Sequence, residues 1–286
     1  MAMLKQYFKL TEEYKNQYGE KTILLFEVGA FFEVYTKVNK TTKDITDPSI
    51  LEFKRYTELS PAKKTEDTIM LGFRDYILDK YIKKIQEIGY TAVVYKQDQA
   101  TSNTTRSLMG IFSPGTFFIN DPDVITNNTL CIWIQQNNKS IFEKNGNIII
   151  GMSTIDILTG DSYIFEIVVE NLHNPTTYDE IDRYISSYNP SEIIIISNLD
   201  KNKITDIIQF INIHDKKIHL LSLDNKLVKN AEKQSYQHEL IKNTFNFNIA
   251  ESLLHNSLQY TYGIQSFVYL INFINDHNCN LINNIK

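Results

Sequence analysis

Two cysteines, one tryptophan and six prolines in 286 residues set the first limits on this chain. Cys131 and Cys279 are too few and too far apart in sequence for a zinc site or a disulfide framework. The first ten residues, MAMLKQYFKL, lack the apolar core of a secretory signal, and no run reaches the roughly 18 uninterrupted apolar residues of a membrane helix. Asn-x-Ser/Thr triplets stand at Asn39, Asn103, Asn127 and Asn138, as expected by chance in a chain rich in Asn; without a secretory signal they stay unglycosylated. The expected compartment is intracellular and reducing, with no membrane partner. A strong excess of positive charge is also missing. The net charge is -5, which excludes a basic coat for nucleic acid.

Hydrophobic residues make up 42% of the chain, so it is globular, and its length suffices for two cores. Up to residue 118 there are 17 Lys/Arg against 15 Asp/Glu; after it there are 12 against 19. The front part tolerates a polyanion and the back part is repelled by one.

Residues 3–18 carry Leu4, Tyr7, Phe8, Tyr14 and Tyr18 at helical spacing, with Gly19 as a stop. TILLFEV then reads as a central strand. Leu78, Tyr81, Ile82, Ile85 and Ile88 mark a second helical stripe, and YTAVVYK a second strand. This is an α/β unit of about a hundred residues. FSPGTFF (112–118) is a Pro-Gly turn, followed to residue 128 by Asn, Asp and Pro, and a domain boundary is expected there. Beyond it, LCIWI reads as a strand and 147–169 as a long hairpin turning near Thr159-Gly160-Asp161. TTYDEIDRYISSY is a helix with a Thr cap. SEIIIIS, ITDIIQFI and IHLLSL continue as strand, helix and strand. From residue 249 the pattern is helical.

Several chemical motifs fail on inspection. Gly110-Ile-Phe-Ser-Pro-Gly115-Thr116 has the glycine spacing of a phosphate loop, but it lacks the lysine and Pro114 removes a backbone donor. His214 and His219 are surface residues by default. Asp156 and Asp161 flank a turn, where Asp is ordinary, and no further acids join them to form a nuclease site. No catalytic, metal or nucleotide residues are expected.

The stretch LLFEVGAFFEVY, residues 24–35, is different. In an extended chain Phe31 and Glu33 share one face and Phe32 takes the other. Phe32 serves the core, while Phe31 and Glu33 set a flat ring beside an acceptor. Such a pair suits a displaced base: the ring stacks and the carboxylate takes a hydrogen bond from the base edge. Taken by pattern alone, a partly exposed strand end with a solvated Glu explains the same residues.

This stretch resembles the start of MutS-type mismatch-repair proteins, whose pattern is Leu-Leu-Phe-x-x-Gly-Asp-Phe-Tyr-Glu. Further similarities follow in order: MLGF at 70–73, YIKKIQEIGYTAVVYKQ at 81–97, FSPGT at 112–116, STIDILTGDSYIFE at 153–166, NPSEIII at 189–195 and SFVYLINFINDHNCNLINNI at 266–285. The resemblance covers nearly the whole chain. It implies an α/β protein with a mixed-sheet mismatch-binding domain (1–118), an RNase H-like connector domain (119–240) and the first helices of an α-helical core (241–286). It implies that Phe31 wedges beside a mispaired base from the minor groove and Glu33 hydrogen-bonds that base, with Met70 and Val28 also at the DNA. The implied partners are double-stranded DNA with mispairs or unpaired bases, a MutL-type protein at the connector, and a second subunit held by regions outside this chain. ATP and Mg would belong to an ATPase in a longer parent chain. Three departures stand out: Ala30 replaces an Asp, Arg74-Asp75-Tyr76 replaces Pro-Tyr-His, and Lys96 replaces a Glu. The alternatives are an RNase H-like nuclease with a DNA-binding head and a DNA-branch-binding member of the same family.

Overall fold

The structure is a computed structural model and describes residues 2–39, 41–98, 105–116, 125–137, 146–172, 174–256, 258–278 and 280–286. Its contacts divide the chain into two units, Met1–Pro114 and Gly115–Lys286. The expected boundary between residues 118 and 119 lies outside the described residues, as do Asn103, Asn138 and Cys279.

The first unit runs α1 (Ala2–Tyr18), β1 (Thr22–Val28), β2 (Phe31–Lys37), α2 (Pro48–Thr57), β3 (Ala62–Lys63), β4 (Thr68–Arg74), α3 (Leu78–Glu87), β5 (Thr91–Gln97) and β6 (Arg106–Phe112). Its mixed sheet has the order β3-β4-β2-β1-β5-β6, with β1 and β5 parallel and the other pairs antiparallel. α1 lays Tyr7 and Tyr18 on one face, against Leu24, Phe26, Tyr35 and Val93. The buried Tyr7 hydroxyl donates to the Leu24 carbonyl at 3.0 Å, which satisfies the one polar atom of a large apolar ring. On the opposite face Phe32 and Phe73 stack at 6.0 Å, and Phe73 meets Tyr81 of α3 at 3.9 Å. α2 starts where Asp47 accepts from the Ser49 N–H and Pro48 fixes the first turn.

The second unit runs β7 (Asn128–Gln136), β8 (Asn147–Asp156), β9 (Ser162–Glu170), α4 (Asp179–Tyr188), β10 (Glu192–Ser197), α5 (Lys201–Phe210), β11 (Lys217–Ser222), α6 (Lys226–Ala231), α7 (Gln234–Thr244), α8 (Phe247–Asn256) and α9 (Thr261–His277). Its sheet order is β11-β10-β7-β8-β9; β7, β10 and β11 are parallel and the β7–β8–β9 meander is antiparallel. Every residue of β10 is buried, as an Ile run in a central parallel strand requires. Ile193 and Ile195 face α4 and α5, while Ile194 and Ile196 face α9. The helix expected with a Thr cap instead begins as a 3-10 turn, Pro175–Tyr178, capped by Asn174 accepting from the Thr176 N–H. The Asn side chain reaches that amide first, and Pro175 presets the turn.

Residues 241–286 do not stand apart from the sheet. α9 is buried on nearly all sides and shares one core with Cys131, Trp133, Ile194 and Ile196. A helix that is apolar all round must be enclosed, and the second sheet encloses this one. Its N-terminal turn lies against Gly151 of β8, and Glu166 of β9 accepts from the Tyr262 and Gly263 N–H groups at 2.7 and 2.8 Å. These amides have no partner inside their own helix, so the carboxylate caps them.

Candidate nucleic-acid interface

The stretch 24–35 folds as a hairpin. β1 ends at Val28, β2 begins at Phe31, and the two-residue turn places Gly29 at φ +59°. Only glycine takes that conformation without strain, and tight two-residue turns select it. The tip is tied on both sides. The Gly29 N–H donates to Gln97 Oε1 at 3.2 Å, and the Asp75 N–H donates to the Ala30 carbonyl at 3.1 Å.

Register decides which side chains meet. Val28 pairs with Phe31; Phe31 pairs with Arg74, Glu33 with Gly72 and Tyr35 with Met70. Cross-strand partners share a face, and alternate residues along β2 do too. Phe31, Glu33, Val28 and Met70 therefore lie on one face of one sheet, with Tyr35 and Arg74 among them.

Phe31 is 40% exposed and Glu33 only 6%. The solvated Glu of the plain strand-end explanation is not what the structure contains. Glu33 Oε2 accepts from the Tyr35 hydroxyl and from Lys64 Nζ, the latter at 3.2 Å. Both contacts fall on the same oxygen, so Oε1 is the atom those two groups leave for another donor. A lysine at this distance compensates a buried carboxylate that would otherwise be costly to desolvate. Lys64 Nζ also lies 4.0 Å from Met70 Sδ. Burial pushes the Tyr35 hydroxyl well above its ordinary range, and the bond to Glu33 adds to the effect, so Tyr35 acts as a donor. At the tip, Arg74 Cζ sits 4.5 Å from the Phe31 ring centroid. Tyr76, two residues further on, is 81% exposed.

Tyr35, Lys64 and Arg74 were not among the residues read from the sequence as site candidates. The alternation that joins Phe31 to Glu33 also reaches Tyr35. Arg74 was visible only as a departure from the MutS pattern. Lys64 follows a two-residue strand that carries no periodic signal.

In the second unit His214 is exposed as expected, but His219 is not a surface residue. Its side chain is 11% exposed and its Nε2 lies 2.6 Å from Oε1 of the fully buried Glu192. The buried carboxylate needs a partner, and the adjacent parallel strand supplies it. The other oxygen of Glu192 accepts from the Gly115 N–H at 2.9 Å, so the amide of the phosphate-loop look-alike is already engaged. Among the described residues no group of three or more His, Cys, Asp or Glu side chains is placed to hold a metal. No helix among them is long and apolar enough to cross a membrane.

Residues 1–121 match the family model MutS domain I. The chain is also 24% identical, over 98% of its length, to a MutS homolog of Acanthamoeba polyphaga mimivirus, covering 27% of that protein. It is 27% identical over 76% of its length to the DNA mismatch repair protein MutS of Fervidobacterium nodosum, covering 22% of it. A mitochondrial MutS homolog of Sarcophyton glaucum matches at 23% over 71% of this chain and 22% of its own. Residues 1–121 are thus similar to MutS domain I, and the chain is similar to DNA mismatch-repair proteins over most of its length while spanning about a quarter of theirs. Among solved structures, the Fowlpox virus resolvase complexed with Holliday junction DNA superposes with a TM-score of 0.31 at 16% identity. That match covers 51% of this chain and 96% of the resolvase.

Proposed function

We propose that this chain is the mismatch-reading head of a MutS-type protein, with Phe31 as the wedge and Glu33 as the acceptor. The observation that carries the reading is the placement of a half-exposed Phe31 at a hairpin tip, on the same face as Glu33. Inserting such a ring costs a few kcal/mol of unstacking per step, offset when the DNA kinks toward more protein surface. A mispair is already poorly stacked and opens at less cost. Stacking on the ring returns about 1–3 kcal/mol per base whatever the base is. Discrimination then follows from how easily the DNA deforms rather than from its sequence.

Glu33 belongs to this scheme through Oε1. A carboxylate beside phosphates is repelled, but here Lys64 balances its charge. The remaining oxygen can accept from a base N–H exposed by the missing Watson–Crick partner. Val28 and Met70 flank the pair and supply apolar contact in the minor groove.

The second unit fits the connector that the resemblance implies, an RNase H-like domain with a three-strand meander followed by alternating helix and parallel strand. In this reading it relays DNA state to an ATPase using ATP and Mg elsewhere in a longer protein, and receives a MutL-type partner. Fold likeness alone does not make it a nuclease.

The test compares affinities for four DNAs at one salt concentration: G·T mispair, single unpaired base, four-way junction and matched duplex. The expected order places the mispair and the unpaired base above the matched duplex. Junction preference would instead favour a branch-binding role, and metal-dependent cleavage would favour the nuclease; either result replaces this proposal.

A further inference from the structure

Phe31 does not meet DNA as a bare ring. Arg74 pairs with it in register on β4, and the guanidinium carbon lies 4.5 Å from the ring centroid. A cation at that distance is drawn to the negative face of the ring. The Arg74 guanidinium thus lies against one face of the Phe31 ring, and the residue stays 40% exposed. Guanidinium suits this arrangement better than ammonium because it is planar and weakly hydrated.

The backbone beneath the pair is well fixed. Arg74 is the last residue of β4, and the following amide, Asp75 N–H, is bonded to the Ala30 carbonyl in the hairpin turn. Arg74 and Phe31 are thus held to each other by a strand pair and by the turn. A half-exposed ring without such a neighbour samples several rotamers and loses that freedom on binding, which weakens binding. A ring held in advance avoids much of that loss.

We propose that Arg74 is a positioning residue for mismatch discrimination: its guanidinium holds the Phe31 ring in the orientation that enters a mispair. The inference rests on the proposed function above. It separates two roles an arginine can have at DNA. An arginine that only neutralises phosphate strengthens binding to every duplex alike. An arginine that holds the wedge strengthens binding only where the wedge enters. Arg74 stands where the MutS pattern has Pro, so the device belongs to this chain's own sequence.

The experiment titrates the 286-residue chain and its Arg74→Ala and Arg74→Lys variants against a G·T duplex and the matched duplex of the same sequence. Low salt is used, because it strengthens all DNA binding. Arg74 is exposed, so thermal unfolding should be unchanged in both variants. The expected result for Arg74→Ala is an approximately two- to fivefold drop in the ratio of mismatch to matched affinity, the size of an exposed cation–π contact. Arg74→Lys should recover part of that ratio. A loss shared equally by both duplexes, or none, overturns the inference and leaves the proposed function standing. Equal affinity of the unsubstituted chain for the two duplexes overturns the proposed function, and the inference with it.

Discussion

Gly151 and Tyr262 are in backbone contact: a Cβ built on Gly151 would lie 2.2 Å from the Tyr262 carbonyl carbon and 2.4 Å from the Gly263 nitrogen. Glycine is what allows the first turn of α9 to rest directly on β8. The obstacles are backbone atoms, which cannot rotate away. Gly151→Ala should therefore destabilise the second unit by about 3 kcal/mol, toward the upper end of overpacking costs. Urea unfolding followed by Trp133, the single tryptophan and fully buried in β7, reads this directly. An unchanged midpoint would show that α9 can shift without cost.

The cap on the same helix end gives a separate test. Glu166 accepts two N–H groups at 2.7 and 2.8 Å and places its charge at the positive end of the helix dipole. Glu166→Ala should cost about 1–2 kcal/mol, with Glu166→Gln in between, because the amide oxygen still accepts but carries no charge. The same unfolding curve measures both. Equal stability of Glu166→Ala and the unsubstituted chain would remove the cap from the account.

Phe31→Ala should abolish the preference for mispaired over matched DNA and leave the fold intact. The ring is 40% exposed, so little core is lost with it. Titration of both duplexes at fixed salt checks the first half, and thermal unfolding the second. Retained preference would mean that another side chain forms the wedge.

His277 supplies a pH dependence. Burial pulls its imidazole from 6.5 down to about 4. Its Nδ1 lies 2.7 Å from the Phe273 carbonyl oxygen, and Glu192, His219 and Lys217 also act on it electrostatically. Above pH 6.5 the ring is neutral folded or unfolded and contributes nothing to the pH slope. Between pH 6.5 and about 4 the unfolded chain takes up a proton that the folded chain resists, so stability falls as pH falls. A drop of that size corresponds to roughly 3 kcal/mol across the window. His277→Gln should flatten this slope in urea unfolding measured from pH 7 to pH 4. Parallel slopes would assign the acid sensitivity to other groups.

How much of this was legible in the sequence depended on how local each signal is. The β8–β9 hairpin announced itself through long apolar runs on either side of Thr159-Gly160-Asp161, and β10 through four consecutive Ile. β4 and β6 interrupt their apolar residues with Gly72 and Gly110 and have little pattern of their own; pairing with β2 and β5 makes them strands. α6 and α7 are short and carry only three apolar residues each, and neighbouring helices define them. At the site, alternation alone put Phe31 and Glu33 on one face. The burial of Glu33 was out of reach, because it depends on Lys64, which is 31 residues away in sequence. His219 was misplaced for the same reason: its partner Glu192 is 27 residues earlier and reaches it only through strand pairing.

The enclosure of α9 sets the smallest piece of the second unit that can be handled by itself. Trimming the chain at residue 240, where the family resemblance would end the connector, removes Phe267, Val268, Leu270, Ile271 and Ile274 from the sheet face they cover. The face left behind includes Cys131, Trp133, Ile194 and Ile196, a contiguous greasy surface that neighbouring molecules would seek out. Such a shortened piece should clump rather than dissolve. Residues 115–286 form the natural unit for expression, labelling or crystallisation.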